Sequence, residues 1–554
     1  MSNTGESNSE LFKLGQRVHS VNDRRRIGTV KYVGEVQGYS GVWVGVDWDD
    51  GNGKHDGSVN GVSYFRAWAE KSGSFVRVPN LSPGVSLLES LQLRYKSEST
   101  KEEEDEMYVL SASNKRVSVE LLGKDKIQDK LSKFEELTGA SLSYLGVSSP
   151  GVQCNGDTTL ANLKHLDLTG NLLSDWKDVG TICEQLPALG ALNLSNNLMN
   201  KDVSELPQLK NIRILVLNST GVNWVEVEIL KHSLPAIEEL HLMGNNISAI
   251  KIVSTLRLCL ICGLKPMSSP VVEGFESLQL LNLDDNSVAD WNEILKLSKL
   301  RSLEKLYLNK NKLNHVHYPD KDTIHEPLGA YESHEKSYIP FQKLSCLLLG
   351  SNNIEDLASI DSLNLFPDLR DIRLSDNPIA DPGRGGIPRF VIIARLAKIE
   401  ILNGSEISRR ERKESEIRYV RIVMSKLPDN PEEIKQLHPR FGELKNLHGI
   451  EDERPSIGAG GPQKMASGLL FITLKCVGAS MGEKPPLTKK LPATTTVGKL
   501  KILCESFFKL KSVKPKLFLQ EEGSPLPLLL DDEMASLMDL GVGNESTILV
   551  DEES

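Results

Sequence analysis

Leu163-Lys-His-Leu166-Asp-Leu168-Thr-Gly-Asn171 is the stretch that decides the architecture of this chain. Its pattern, Leu-x-x-Leu-x-Leu-x-x-Asn, returns at Leu189, Leu192, Leu194 and Asn197, and again, with Thr in the last place, at Ile212, Leu215, Leu217 and Thr220. Further copies end at Asn245, Asn286, Asn311, Asn352 and Asn377. Successive copies are 26, 23, 25, 41, 25, 41 and 25 residues apart, so each 41-residue step is one ordinary repeat carrying about 16 inserted residues. One unit, a strand and a return arm, cannot bury its leucines alone, whereas stacked units turn them into a continuous core. The residues therefore predict a leucine-rich solenoid over 156–404. The Asn is suited to bonding the backbone of the turn that leaves each strand. Trp176, Trp224 and Trp291 follow that position by four or five residues, which places them in the convex-side core where the return arm begins.

A solenoid must close its ends. Leu396 to Gly404 reads as a last strand, followed by a charged helix from Ile407 to about Leu427, a helical cap assigned to 405–450. Pro431, Pro439, Pro455 and Gly458–Gly461 give 428–466 the character of a hinge, with 451–466 as the hinge proper. Upstream, 81–155 reads as a linker. It contains the acidic run Glu102 to Glu106, a solvated junction, and a Val/Leu-bearing stretch, Asn114 to Leu137, suited to capping the first repeat. The insertion 251–270 holds a lone Cys259-x-x-Cys262 pair, and the histidines His315, His317, His325 and His334 crowd the insertion 318–342 beside Asp320 and Glu326. No second cysteine pair follows at zinc spacing, so both read as solvated loops and no metal site is expected.

Composition narrows the class. A chain of 554 residues is too long for one core and implies three or four domains. Net charge is −10, which argues against a general nucleic-acid binder. Met1 to Gly15 lacks the apolar core of a signal peptide, and no apolar run approaches the roughly 18 residues of a membrane span. The seven cysteines are scattered and read as reduced cytosolic thiols.

Residues 11–80 are dense in Gly, Val and aromatics, with strand-like runs at Gly28–Val33 and Val42–Trp48. The segment Trp43-Val-Gly-Val-Asp-Trp-Asp-Asp-Gly-Asn-Gly-Lys-His-Asp-Gly-Ser-Val-Asn-Gly61, with Gly73-Ser-Phe-Val76 after it, resembles a CAP-Gly domain, a small β barrel. So many glycines imply tight turns and close backbone approach to a ligand. The resemblance implies a groove for extended acidic C-termini ending in an aromatic residue, as on α-tubulin. By position, Lys54 and His55 would meet the terminal carboxylate within the loop that Asp56 and Gly57 continue, and Trp43 and Phe75 would wall the groove. Arg24, Arg25 and Arg26 are candidate accessory basic residues. His55 stands where the usual motif has Asn, and Gly38 occupies a groove position where related domains carry an aromatic.

From Leu469 the pattern becomes strand Leu469–Cys476, strand Leu487–Ala493, helix Val497–Lys509, strand Lys516–Gln520 and strand Thr547–Asp551, which resembles the ubiquitin-like β-grasp over 467–554. The chain ends Asp551-Glu-Glu-Ser554 rather than Gly-Gly, so the module is read as a docking unit. Gly478-Ala-Ser480-Met-Gly482 matches the hydrolase nucleophile elbow, but that motif works on a strand-to-helix turn and here falls between two hairpin strands. Gly53-Lys54 and Gly498-Lys499 lack the rest of a phosphate loop. Neither a catalytic residue nor a cofactor is expected.

CAP-Gly, leucine-rich solenoid and ubiquitin-like domain, in that order, resemble the tubulin-specific chaperone E family. The resemblance implies a cytoplasmic, cytoskeleton-associated chaperone that binds the tail and folded body of α-tubulin. It further implies assembly and disassembly of the α/β heterodimer with tubulin cofactors B, C and D. Two other readings stay open: a microtubule-binding CAP-Gly adaptor, and a ubiquitin-pathway shuttle reaching the proteasome through the β-grasp end. An adaptor would want a coiled coil for avidity, and the chain has no sustained heptads.

Overall fold

The computed structural model describes residues 12–95, 108–110, 116–118, 133–151, 160–202, 206–252, 271–319, 339–381, 386–425, 432, 436–450, 469–478, 484–510, 514–520, 527–530, 533, 536–537, 540 and 542–552. Cys259, Cys262, His325, His334, the acidic run 102–106, Asn114, Ser480 and Gly458–Gly461 lie outside these. The residues fall into two compact units, 1–287 with 296–305, and 288–295 with 306–554.

The first unit opens with a five-stranded antiparallel sheet in the spatial order Gly73–Arg77, Tyr39–Trp48, Ile27–Val36, Arg17–Ser20, Leu81–Ser82. Alternation along the strands divides its side chains between two faces. Val18, Val30, Val44, Val46 and Trp48 turn inward with Phe12 and Leu81 to form the core. On the strand Tyr39–Trp48, Trp43 and Gly45 face the other way, which leaves that face for other work.

The repeats follow. Gly139–Ser141, His165–Asp167, Ala191–Asn193, Ile214–Val216, Glu239–His241 and Leu280–Asn282 pair in parallel, rung on rung. The periodic leucines are buried, Leu163, Leu168, Leu194, Leu215 and Leu217 completely so. The repeat asparagines run as a ladder beneath them. Asn197 Nδ2 donates to Leu168 O of the preceding rung at 2.8 Å and to Leu194 O of its own at 3.0 Å, while its Oδ1 accepts from Leu173 N. Asn171 and Asn245 repeat that geometry. Thr220 has a different pattern: its hydroxyl donates to Leu217 O of its own rung at 2.9 Å and lies 3.4 Å from Asn245 Oδ1 of the next. The residue just before each ladder position, from Gly170 and Asn196 to Asp376, has positive φ, because the chain must turn sharply out of the strand there. Helices then start at Trp176 and Trp224, both indoles buried as expected, with Asp175 and Asn223 as N-caps.

Within the second unit Asn352 and Asn377 form a ladder of the same kind, and Cys346–Leu348, Asp371–Arg373 and Ile401–Leu402 pair in parallel. A helix starts at Trp291, whose Nε1 donates to His317 O at 2.6 Å. His315 and His317 stack on each other, and no cluster of metal-ligating side chains occurs among the described residues. The charged cap helix spans Arg409–Ser425. Within the stretch assigned to the cap, Phe441–Leu447 forms a second helix despite the hinge-like composition around it, and its Leu444 packs with Ala394, Tyr419, Val420 and Val423. Local composition had hidden it, because the contact that stabilises it comes from residues some twenty to fifty positions away. Arg395, fully buried, grips both carboxylate oxygens of Asp361 at 2.8 and 2.7 Å.

The end of the second unit is a five-stranded sheet in the order Leu487–Pro492, Leu469–Cys476, Thr547–Glu552, Pro515–Gln520, Leu528–Leu530, with the helix Val497–Phe508. Ile472, Leu474, Leu517, Leu519, Ile548 and Val550 from the sheet meet Leu500, Cys504 and Phe508 from the helix. This is the expected β-grasp; the short strand Leu528–Leu530 is additional. No helix among the described residues is long and apolar enough to cross a membrane.

Candidate functional site

The outer face of the first sheet carries the site. A β-bulge at Lys31 shifts the register, so Val30 pairs with Val46 while Tyr32 pairs with Gly45. A bulge re-aims the next side chain, and Tyr32 thereby joins the outer face although simple alternation would have put it in the core beside Val30. Phe75 pairs with the other side of Gly45. The missing side chain of Gly45 is what lets Phe65 in: a Cβ there would stand 2.5 Å from the Phe65 ring.

Tyr32, Tyr64, Phe65 and Phe75 consequently pack edge to face, with ring centroids 5.2–5.9 Å apart, the geometry favoured by the aromatic quadrupole. His55 joins them, 5.1 Å from Phe75 and 6.2 Å from Phe65. Trp43 shares the outer face but lies beside Tyr39, 5.9 Å away, and under the Arg77 guanidinium, 3.7 Å above its ring. Its Nε1 is buried without a hydrogen-bond partner among the described residues. Gly38 is the turn residue before Tyr39, at φ +86°, so the aromatic expected near that position comes from the next residue.

The Gly53-to-Gly57 loop is held against this floor by backbone bonds. Lys54 N and His55 N both donate to Gly73 O, and Gly73 N donates back to His55 O. Gly57, at φ +104°, has no room for a side chain, since a Cβ would stand 2.0 Å from Phe65 O. Asp56 accepts from Ser58 N at 3.0 Å, and those bonds hold its carboxyl below the usual range. Asp56 thus shapes the loop. The Lys54 side chain is exposed and has no carboxylate partner among the described residues. His55 Nδ1 accepts from Gly57 N at 3.0 Å, which leaves the proton of the neutral ring on Nε2. Burial pushes the His55 pKa below its ordinary value, against the opposing pull of Asp56. Burial likewise raises the Tyr32 phenol, with Tyr64 and Glu35 adding to it.

The structure therefore brings His55, Gly57 and Phe75 together, adds Lys54 at the rim, and sets Trp43 apart with Tyr39 and Arg77. The basic triplet divides. Arg26 stacks on Trp48 and donates to Asn52 O at 2.7 Å, and Arg25 lies 5.4 Å from the Tyr144 ring. Sequence reasoning missed Tyr32, Tyr39, Tyr64, Phe65 and Arg77. The Tyr64-Phe65 pair, directly after the glycine-rich loop, was the one legible signal.

Chemically, this is an aromatic shelf with one free ammonium and one neutral N–H donor at its lip. Residues 14–81 match the family model of the CAP-Gly domain. Over 550 residues the chain is 64% identical to the tubulin-folding cofactor E of Arabidopsis thaliana, covering 99% of both chains. It is 30% identical to the tubulin-specific chaperone E of Danio rerio, covering 97% of this chain and 98% of that one. Among solved structures, the C-terminal ubiquitin-like domain of mouse tubulin-specific chaperone e matches 17% of this chain and 96% of that one, at 25% identity and a TM-score of 0.15.

Proposed function

We propose that this chain, which belongs to the tubulin-folding cofactor E family, captures α-tubulin by its acidic C-terminal tail and by its folded body. Its role is that of a tubulin chaperone. The observation that carries the finer reading is the pairing of Lys54 and His55 at the lip of the aromatic shelf. A tail ending in an aromatic residue offers a ring for Tyr32, Tyr64, Phe65 and Phe75, and a carboxylate for the Lys54 ammonium and the His55 Nε2–H. The penultimate acidic side chains then run towards Trp43 and Arg77.

The strand face of the repeats holds the folded body, because a broad row of short strands suits a globular surface better than a peptide. The β-grasp end recruits partner factors, tubulin cofactors B, C and D among them, for assembly and disassembly of the heterodimer. The protein works in the cytoplasm by binding alone, without a cofactor. Co-purification tests this against its rivals. Soluble α-tubulin as the retained partner is the expected result; polymerised microtubules would favour an adaptor, and proteasome a ubiquitin-pathway shuttle.

A further inference from the structure

The stretch between the tail-binding module and the repeats was expected to begin as a linker, and its first part is a splint. Leu81–Ser82 closes the first sheet by pairing with His19 and Ser20. Only Pro83 and Gly84 separate it from Val85–Ser86, which pairs in parallel with Val147–Ser149 beside the first repeat. Val85 N donates to Gly146 O at 2.8 Å, and Val147 N in turn donates to Asn171 Oδ1, the first rung of the asparagine ladder. The helix Leu87–Tyr95 follows. Ser86 and Glu89 cap it reciprocally, Leu87 and Leu91 are buried, and the Tyr95 hydroxyl accepts from Ser141 N in the first strand of the repeat sheet.

Two further contacts brace the joint. Gly146, at φ +78°, lies so close to His19 that a Cβ would stand 2.8 Å from Nε2. Arg25 lies over the ring of Tyr144, whose hydroxyl accepts from Asn196 Nδ2 in the second repeat at 3.4 Å. A connection of two residues flanked on both sides by paired strands has almost no freedom to reorient.

We infer that the CAP-Gly module and the first repeats form one rigid recognition body, whose partner is a folded protein presenting an acidic C-terminal tail at a fixed offset from the surface docked on the strands. This rests on the tail reading above. Rigid spacing makes the second contact intramolecular without the entropy of ordering a linker, and it rejects tails that leave a partner at the wrong place. Tail and body are read as one shape.

The test is a full-length variant with about ten Gly/Ser residues inserted between Pro83 and Gly84. Three ligands are titrated: a free tail peptide ending Glu-Glu-Tyr, folded tubulin, and tubulin whose tails have been removed. The peptide and the tail-less tubulin should bind the variant as they bind the parent, while intact tubulin should bind about tenfold or more weakly. Arg25→Ala with Tyr144→Ala, which loosens the same joint without lengthening the chain, should shift intact tubulin in the same direction by less. Equal binding of intact tubulin by parent and insertion variant would overturn the inference. Failure of the parent to bind the peptide would overturn the tail reading, and this inference with it.

Discussion

His55 Nδ1 accepts a hydrogen bond from the backbone N–H of Gly57, two residues along, at 3.0 Å. That one contact sets the chemistry of the groove. It fixes the neutral tautomer with its proton on Nε2, and it costs the loop a bond whenever the ring takes a second proton. A histidine in the place of the usual Asn therefore still offers a neutral N–H donor, one where the amide has two.

The pH dependence of tail binding follows. A pKa lowered by burial means that His55 stays neutral until the pH falls below its ordinary value of about 6.5. An imidazole with its ordinary pKa would tighten peptide binding between pH 7.5 and 6. The structure moves that response to lower pH, so affinity should be flat from 7.5 to 6.5 and rise only below. The depressed pKa also means that stability fully present above the unfolded value is lost as the pH falls from there through the lower folded value. His55→Asn should keep neutral-pH binding and lose the acid response. Calorimetric titration of the full chain at four pH values checks this, and a rise already complete by pH 6.5 would show a charged ring.

Lys54 acts by charge at an exposed site. Lys54→Ala should weaken a Glu-Glu-Tyr peptide by about 1 kcal/mol, at the low end for a charge-assisted bond because water screens the ammonium. The residual binding should depend less on salt. Thermal unfolding should not change, as the side chain has no ion-pair partner among the described residues. A loss of stability in this variant would mean that Lys54 is part of the fold.

The asparagine ladder predicts unequal costs. Asn197→Ala leaves Leu168 O and Leu194 O without their side-chain donor in the core and should destabilise the first unit by about 2–3 kcal/mol. Thr220→Ala removes a hydroxyl whose short bond is within its own rung and whose contact with Asn245 Oδ1 is long, 3.4 Å, and should cost about 1 kcal/mol. Denaturant titrations followed by hydrogen exchange in the repeats would measure both, and equal losses would show that bridging between rungs is unimportant.

Strand-face substitutions must be chosen with the turns in mind. Asp167, Asn193 and Asn282 each accept from backbone two residues on, so changing them disturbs a turn before it probes a surface. Ile214 and Val216 are half-buried on the same face and hold no such bond. Ile214→Lys with Val216→Lys should weaken capture of tail-less tubulin by tenfold or more and leave the tail peptide unaffected. Normal capture by the folded double variant would remove the strand face from the client site.

The sequence by itself determined whatever is periodic or local. The spacing of Leu163, Leu166, Leu168 and Asn171 required stacked units, because no single unit could bury them, and Trp176, Trp224 and Trp291 marked where return helices start. Gly53-Lys54-His55-Asp56-Gly57 declared a tight loop with a cation at its tip. Tertiary structure decided what depends on register and on distant partners. Tyr32 belongs to the groove only because a bulge at Lys31 flips it across the sheet, and Phe65 enters only through the gap at Gly45. Arg25 could be read as a groove charge until Tyr144 was seen to hold it. Residues 81–95 looked like linker because a two-residue strand and one helix have little stability of their own; their order comes from Val147–Ser149 and Ser141, more than forty residues away. Pairing energy of that kind appears in no local window, since it exists only once both partners have been brought together.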